Sequence, residues 1–211
     1  MGNGSEKGRF HKNSKIFHFK MKKFIAIFGG APQSGKTTFA NMIAEKMGVK
    51  KVHEMGFAVK KKAAKCLNID YKTADKIKDK GRVKVFNEKG NLISDFAPRL
   101  VMQEVMSGIF EPYGIRSVMS AEAYFRIFKN GSDGDKIVSG FRCPANALDM
   151  AQLTMGEYEF IRVLIKRDGF SNEDCHYLEK MTDLLKPDFT VEAGNLKELK
   201  TEVDRFVNFI K

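Results

Sequence analysis

Apolar residues recur along this chain in two rhythms. Short unbroken runs bounded by Gly or polar residues predict five strands: FIAIFGG (24–30), VHEMGF (52–57), DKIVSGF (135–141), EFIRVLIKR (159–167) and DFTVEA (188–193). Between them the spacing changes. In TFANMIAEKMG, Phe39, Met42, Ile43 and Met47 form the stripe of an amphipathic helix that stops at Gly48. Helices are also predicted over 58–69, with Ala63, Ala64 and Leu67 inward, and over 97–110, with Pro98 in the first turn. Three more are predicted over 120–131, opened by Ser120 and closed by Asn130-Gly131, over 144–156 and over 175–186. A last helix follows Asn195, with Glu198 three residues on as in a capping box, and presents Leu199, Val203, Phe206 and Ile210 on one face. Residues 68–96 are polar, with a hairpin turn expected at 87–91. Strands alternating with helices imply an α/β fold: a mostly parallel five-stranded sheet with helices on both faces, which binds ligand at the carboxyl ends of its strands.

At 211 residues the chain has room for one sizeable domain with a short lid or arm. No window approaches 18 uncharged apolar residues, so a membrane helix is excluded. Cys66, Cys143 and Cys175 lie far apart without paired spacing. That argues against a disulfide framework or structural zinc and points to a reducing, cytoplasmic setting. The formal net charge of +11 sits in two patches. Residues 1–23 carry net +6 and residues 59–84 carry net +7. The first lacks the apolar stretch of a signal peptide, and residues 1–22 read as a flexible basic arm or an extension. The second lies inside the domain. It is read either as a solvated face or as a surface for anions, including weak contact with nucleic acid.

The strongest motif is GAPQSGKT, Gly30 to Thr37, which fits G-x-x-x-x-G-K-[ST] between a strand and a helix. Small residues there let the backbone close round a phosphate, and the loop amides and helix N-terminus point at the anion. Gly30, Ala31, Gln33, Ser34, Gly35, Lys36, Thr37 and Thr38 are the candidate phosphate-binding residues. Lys36 is expected to bridge the β- and γ-phosphates and Thr37 to offer its hydroxyl to Mg²⁺.

Beyond this loop the sequence resembles the phage-type deoxynucleoside monophosphate kinases, within the P-loop nucleoside monophosphate kinase superfamily, from about Phe24 to the C-terminus. FAVKKKAAKCLNI is similar to the helix that opens the family's monophosphate side, and there Lys62 is a candidate substrate-binding residue. APRLVMQEVMSG resembles its Pro-Arg-x-x-x-Gln helix, which implies that Arg99 and Gln103 hold the acceptor nucleotide. IVSGFRCPANA resembles its strand and Arg-x-Pro turn and nominates Arg142 for both substrate binding and catalysis. IRVLIKRDG resembles a strand entering an Arg-bearing lid and nominates Arg167. DCHYLE is similar to the lid segment, with Asp174, His176 and Glu179. The resemblance implies a three-layer P-loop kinase domain over 23–211, with a lid at about 167–176 and a monophosphate-binding part at about 57–130. It implies ATP and Mg²⁺ as cofactors, a small-molecule nucleotide substrate and no membrane partner, with a homodimer left open. A host-cytoplasmic location follows if the source is viral.

The chain departs from that pattern at three acids: the strand-end position is Gly140, a later one is Asn146, and Val59 replaces another. Asp133, Asp135 and Glu54 are the alternative metal-side carboxylates. Arg116 and Arg126 are weaker arginine candidates, and Tyr113, Tyr124 or Phe96 could stack on a base. The leading function is ATP-dependent conversion of a deoxynucleoside monophosphate to its diphosphate. The alternatives are a kinase acting on a base or end in DNA and a non-catalytic nucleotide-binding protein.

Overall fold

A computed structural model describes residues 21–29, 34–77, 81–104, 122–167 and 181–211. The first strand, β1 (Lys22–Phe28), is buried from Lys23 onward because both faces of the sheet are covered. It is followed by α1 (Lys36–Met47), β2 (Val52–Glu54), α2 (Phe57–Cys66) and α3 (Tyr71–Ile77). A hairpin of β3 (Val83–Phe86) and β4 (Leu92–Phe96) leads into α4 (Pro98–Glu104). A π-helical turn (Phe125–Lys129) precedes β5 (Lys136–Phe141), α5 (Pro144–Leu153), β6 (Tyr158–Lys166), a 3₁₀ turn (Met181–Leu184), β7 (Phe189–Glu192) and α6 (Leu196–Phe209).

The main sheet runs β2-β5-β1-β6-β7, and every pairing in it is parallel. Side chains alternate between its faces. Ile25 and Ile27 of β1, with Ile161, Val163 and Ile165 of β6, meet Phe39 and Ile43 of α1 and Leu199, Val203 and Phe206 of α6. Phe24, Ala26 and Phe28 turn the other way, onto Val59 and Ala63 of α2, Ile127, and Ala147 and Met150 of α5. The result is a three-layer α/β sandwich. Aromatic rings fill much of it: Phe24 meets Phe128 edge-on at 5.1 Å between centroids, and Phe206 meets Phe189 at 5.2 Å. Each fully buried Phe contributes about 1.5–3 kcal/mol.

Local chemistry accounts for several element ends. The Asn195 side chain accepts from the backbone N–H of Lys197 and Glu198, both at 3.0 Å, while Glu198 accepts from Gly194 N–H at 2.7 Å. In the hairpin turn, Asn87 Oδ1 accepts from the N–H of Lys89 and Asn91. Four elements depart from the expected pattern. The strand expected over 52–57 stops at Glu54, because Gly56 already caps α2. Within 120–131 the described chain widens into a π turn, closed by Asn130 N–H on the Phe125 carbonyl. The described part of the helix expected over 175–186 is only the 3₁₀ turn, and Pro187 just beyond biases Lys186 toward extended backbone. Helix α3 lies in the stretch read as merely polar.

Candidate functional site

β1 ends at Phe28, in the middle of the sheet, and the phosphate-loop motif follows at once. Gly30, Ala31 and Gln33 lie outside the described residues. Of the rest, Ser34 is buried and Gly35 caps α1 in the left-handed region at φ +93°. Lys36, Thr37 and Thr38 form the first turn of α1, which holds no acidic residue. Their N–H groups lack intrahelical acceptors, and both threonines are exposed. Lys36 folds back so that its Nζ donates to Ser34 Oγ at 2.9 Å. Its stem crosses Gly29, where a β-carbon would stand 3.0 Å from Lys36 Cδ and 3.1 Å from Ser34 Oγ. Gly29, one position ahead of the motif, thus leaves the Lys36 stem its path.

Strand order decides what surrounds this loop. β5 and β6 are the two neighbours of β1, with Phe28 beside Phe141 on one side and Leu164 on the other. Arg142 is the residue after β5, and Arg167 the residue after β6. The two arginines therefore follow the strands on either side of β1, at the carboxyl edge of the sheet. Arg99 and Gln103 sit one turn apart in α4, which packs on α2, and Lys62 is exposed on α2. His176, Asp174 and Glu179, Arg116, Tyr113 and most of the expected lid lie outside the described residues. Tyr124 is buried and stacked on Phe128 at 5.6 Å, which removes it as a platform for a base.

Two of the three alternative carboxylates are at the wrong end of the sheet. Asp133 pairs with Lys22 at 2.5 Å, and Asp135 accepts from the Lys23 backbone N–H at 2.7 Å. Both tie down the amino end of β1, opposite the phosphate loop, and cannot serve a ligand there. Glu54 stands at the carboxyl end of β2, level with Ser139 of β5. Gly140 has a structural role of its own. It is the extra residue where Ile27 pairs with Ser139 but Phe28 pairs with Phe141, and it adopts φ +85°. The bulge turns Phe141 onto Phe28, 5.2 Å between ring centroids. A β-carbon at 140 would stand 3.7 Å from Glu54 Cγ.

Beyond the end of β2 is a polar cluster that the motifs did not signal. Lys60 of α2 is buried and forms ion pairs with both Glu54 and Asp75, the latter at 2.7 Å. Burial alone would lower the Lys60 pKa, but the two carboxylates outweigh it and raise it. Arg126, from the π turn, donates to the Glu54 carbonyl at 2.7 Å and lies 4.6 Å above the Phe57 ring. Phe57 in turn meets Tyr71 at 5.0 Å. His53 is buried on β2, with no hydrogen-bond partner for Nδ1 among the described residues. Burial, helped by Lys51, Arg126 and Lys136, pushes its pKa down to about 4.

Among the described residues no three His, Cys, Asp or Glu side chains converge as a metal cage. Cys66 and Cys143 are free thiols. No described helix is long and apolar enough to cross a membrane.

No family model matches the chain, and no curated protein matches it. Among solved structures, a "putative kinase" from Chloroflexus aurantiacus J-10-fl is similar at 14% identity and a TM-score of 0.42, over 91% of this chain and 100% of that one.

Proposed function

We propose that this chain is an ATP-dependent phosphotransferase that converts a deoxynucleoside monophosphate to the diphosphate. The observation that supports this most is that Lys36, first residue of α1, lies across Gly29 just after the central strand, whose two neighbouring strands each run into an arginine. Phosphoryl transfer asks little covalent chemistry of a protein; it asks for in-line positioning and for positive charge around the transferring group. The first turn of α1 and Lys36 hold the donor's β- and γ-phosphates. Arg142 and Arg167 reach the γ-phosphate from either side and neutralise charge as it moves. An oxygen of the acceptor's phosphate attacks the γ-phosphorus, and the bond to the β-phosphate oxygen breaks to leave ADP. Thr37 is the residue that would hold Mg²⁺ carried by the nucleotide, and such an ion supplies further charge neutralisation.

The test is direct. Purified protein with ATP, Mg²⁺ and each deoxynucleoside monophosphate in turn is expected to form a diphosphate with at least one, and Lys36→Ala to form none. No diphosphate from any acceptor removes the proposal. A second reading, an acceptor within DNA, draws on the exposed Lys61, Lys62 and Lys65 of α2 and Lys72 and Lys76 of α3. It requires steeply salt-dependent competition by an oligonucleotide against the free nucleotide.

A further inference from the structure

The cluster beyond β2 holds two carboxylates and two cations, but they do not pair evenly. Lys60 takes both acids, Glu54 and Asp75. Arg126 is left with a neutral acceptor, the Glu54 carbonyl, and among the described residues no carboxylate forms an ion pair with it. Only one of its five N–H donors is used in that contact. The guanidinium is half-buried, and its plane is supported by the Phe57 ring. Burial lowers the Arg126 pKa, and Glu122, four residues back, and Glu54 offset part of that through space, but among the described residues neither carboxylate pairs with the guanidinium, which leaves N–H donors for an anion.

Three features fit an incoming anion. The π turn that carries Arg126 is a costly local geometry often found at functional sites, and it sets this side chain against the carboxyl end of β2. Gly140 keeps both bulk and negative charge from β5 out of the corner beside Glu54. The corner lies at the carboxyl edge of the sheet, one strand further from the loop than Arg142.

We infer that Arg126 binds the phosphate of the acceptor, with Phe57 beneath it and Lys60 neutralising Glu54 and Asp75. The inference rests on the phosphotransferase reading and adds the acceptor's anchoring residue to it. Its role is binding, and Lys60 is a positioning residue.

The experiment compares the full chain with Arg126→Gln and Arg126→Lys. Calorimetry measures binding of the four deoxynucleoside monophosphates, of a short 5′-phosphorylated oligonucleotide, and separately of a non-hydrolysable ATP analogue. Arg126→Gln is expected to weaken the bound acceptor by about 10- to 100-fold, the size of a lost charge-assisted contact, while the ATP analogue stays within about twofold. Arg126→Lys keeps the charge without the fork and is expected to fall between them. If Arg126→Gln fails to fold, the Lys variant is still expected to lose at least about threefold for the acceptor alone. Unchanged acceptor affinity in the folded variants overturns the inference and leaves the phosphotransferase reading intact. Arg126-dependent binding of the oligonucleotide alone keeps the inference and removes the free-nucleotide acceptor. Binding of no phosphate-bearing acceptor probe at all, with the ATP analogue still bound, overturns the inference.

Discussion

Lys36 lies across Gly29, so that a β-carbon at residue 29 would come within 3.0 Å of its Cδ and 3.1 Å of its Cγ. The lysine reaches Ser34 over a residue that has no side chain. Gly29→Ala would therefore shift the Lys36 stem by a few tenths of an ångström. Gly29 has no left-handed backbone to preserve, and alanine restricts the unfolded chain, so stability should hold or rise slightly. Transfer activity should fall by roughly tenfold or more, because small misplacements of charged groups are costly in phosphoryl transfer. Paired measurements of kcat/KM and Tm test this. Full activity in Gly29→Ala would show that Lys36 does not need this path.

Gly140 gives the opposite pattern. Space is open around it, with Glu54 Cγ at 3.7 Å as the nearest neighbour of a new β-carbon, but its φ is +85°. Gly140→Ala is expected to cost about 1–2 kcal/mol through backbone strain alone, and Gly140→Asn less, since Asn tolerates this region better. Urea unfolding of the three proteins should rank them Gly, Asn, Ala. Equal midpoints would mean that the bulge relaxes and Phe141 leaves Phe28.

Lys60 joins β2, α2 and α3 through Glu54 and Asp75. Lys60→Met keeps the volume and removes the cation, which leaves two acids facing each other across a part-buried corner. The expected loss is about 1–3 kcal/mol, below that of a fully buried pair because both acids are partly exposed. Adding Glu54→Gln should return part of that loss. A double variant less stable than Lys60→Met would show that the ion pairs are not what the lysine contributes.

How far the molecule was legible in its sequence depended on which forces left a local trace. β1 was plain because a strand covered on both faces is a continuous apolar run, and β6 because its buried Ile161, Val163 and Ile165 alternate with less buried positions. The Asn195 cap and the turn at Asn87 were plain because their hydrogen bonds close within four residues. Helix α3 was hidden because Ala74 is its one buried residue, so it has no apolar stripe. Gly140 was noticed as a missing acid, whereas its backbone conformation explains why glycine stands there. Asp133 and Asp135 could have been set aside at once, since they precede β5 and so lie at the amino end of a parallel sheet. Arg126 left little local trace, because its partner Glu54 is 72 residues away and the turn that aims it is π-helical.

His53 offers a test through pH. It is buried without a partner for Nδ1 among the described residues, and its pKa falls from the usual 6.5 to about 4. The cause is burial first, then the charges of Lys51, Arg126 and Lys136. Above pH 6.5 the imidazole is neutral in both folded and unfolded chains, so it imposes no pH-dependent cost. As the pH drops below 6.5 the unfolded chain takes up a proton that the folded chain refuses. Stability should then decline by up to about 1.4 kcal/mol per pH unit from this group, and the decline should level off below about pH 4. His53→Leu removes the titration and the unpaired nitrogen together. It should be at least as stable as the parent at pH 7 and should lack this part of the acid loss. The measurement is the difference in unfolding free energy between the two proteins from pH 7.5 to 4.5, which should widen in favour of the variant as the pH falls. Two parallel curves across that range would mean that His53 charges in place, and that the cationic corner formed by Lys51, Arg126 and Lys136 is better solvated than its burial implies.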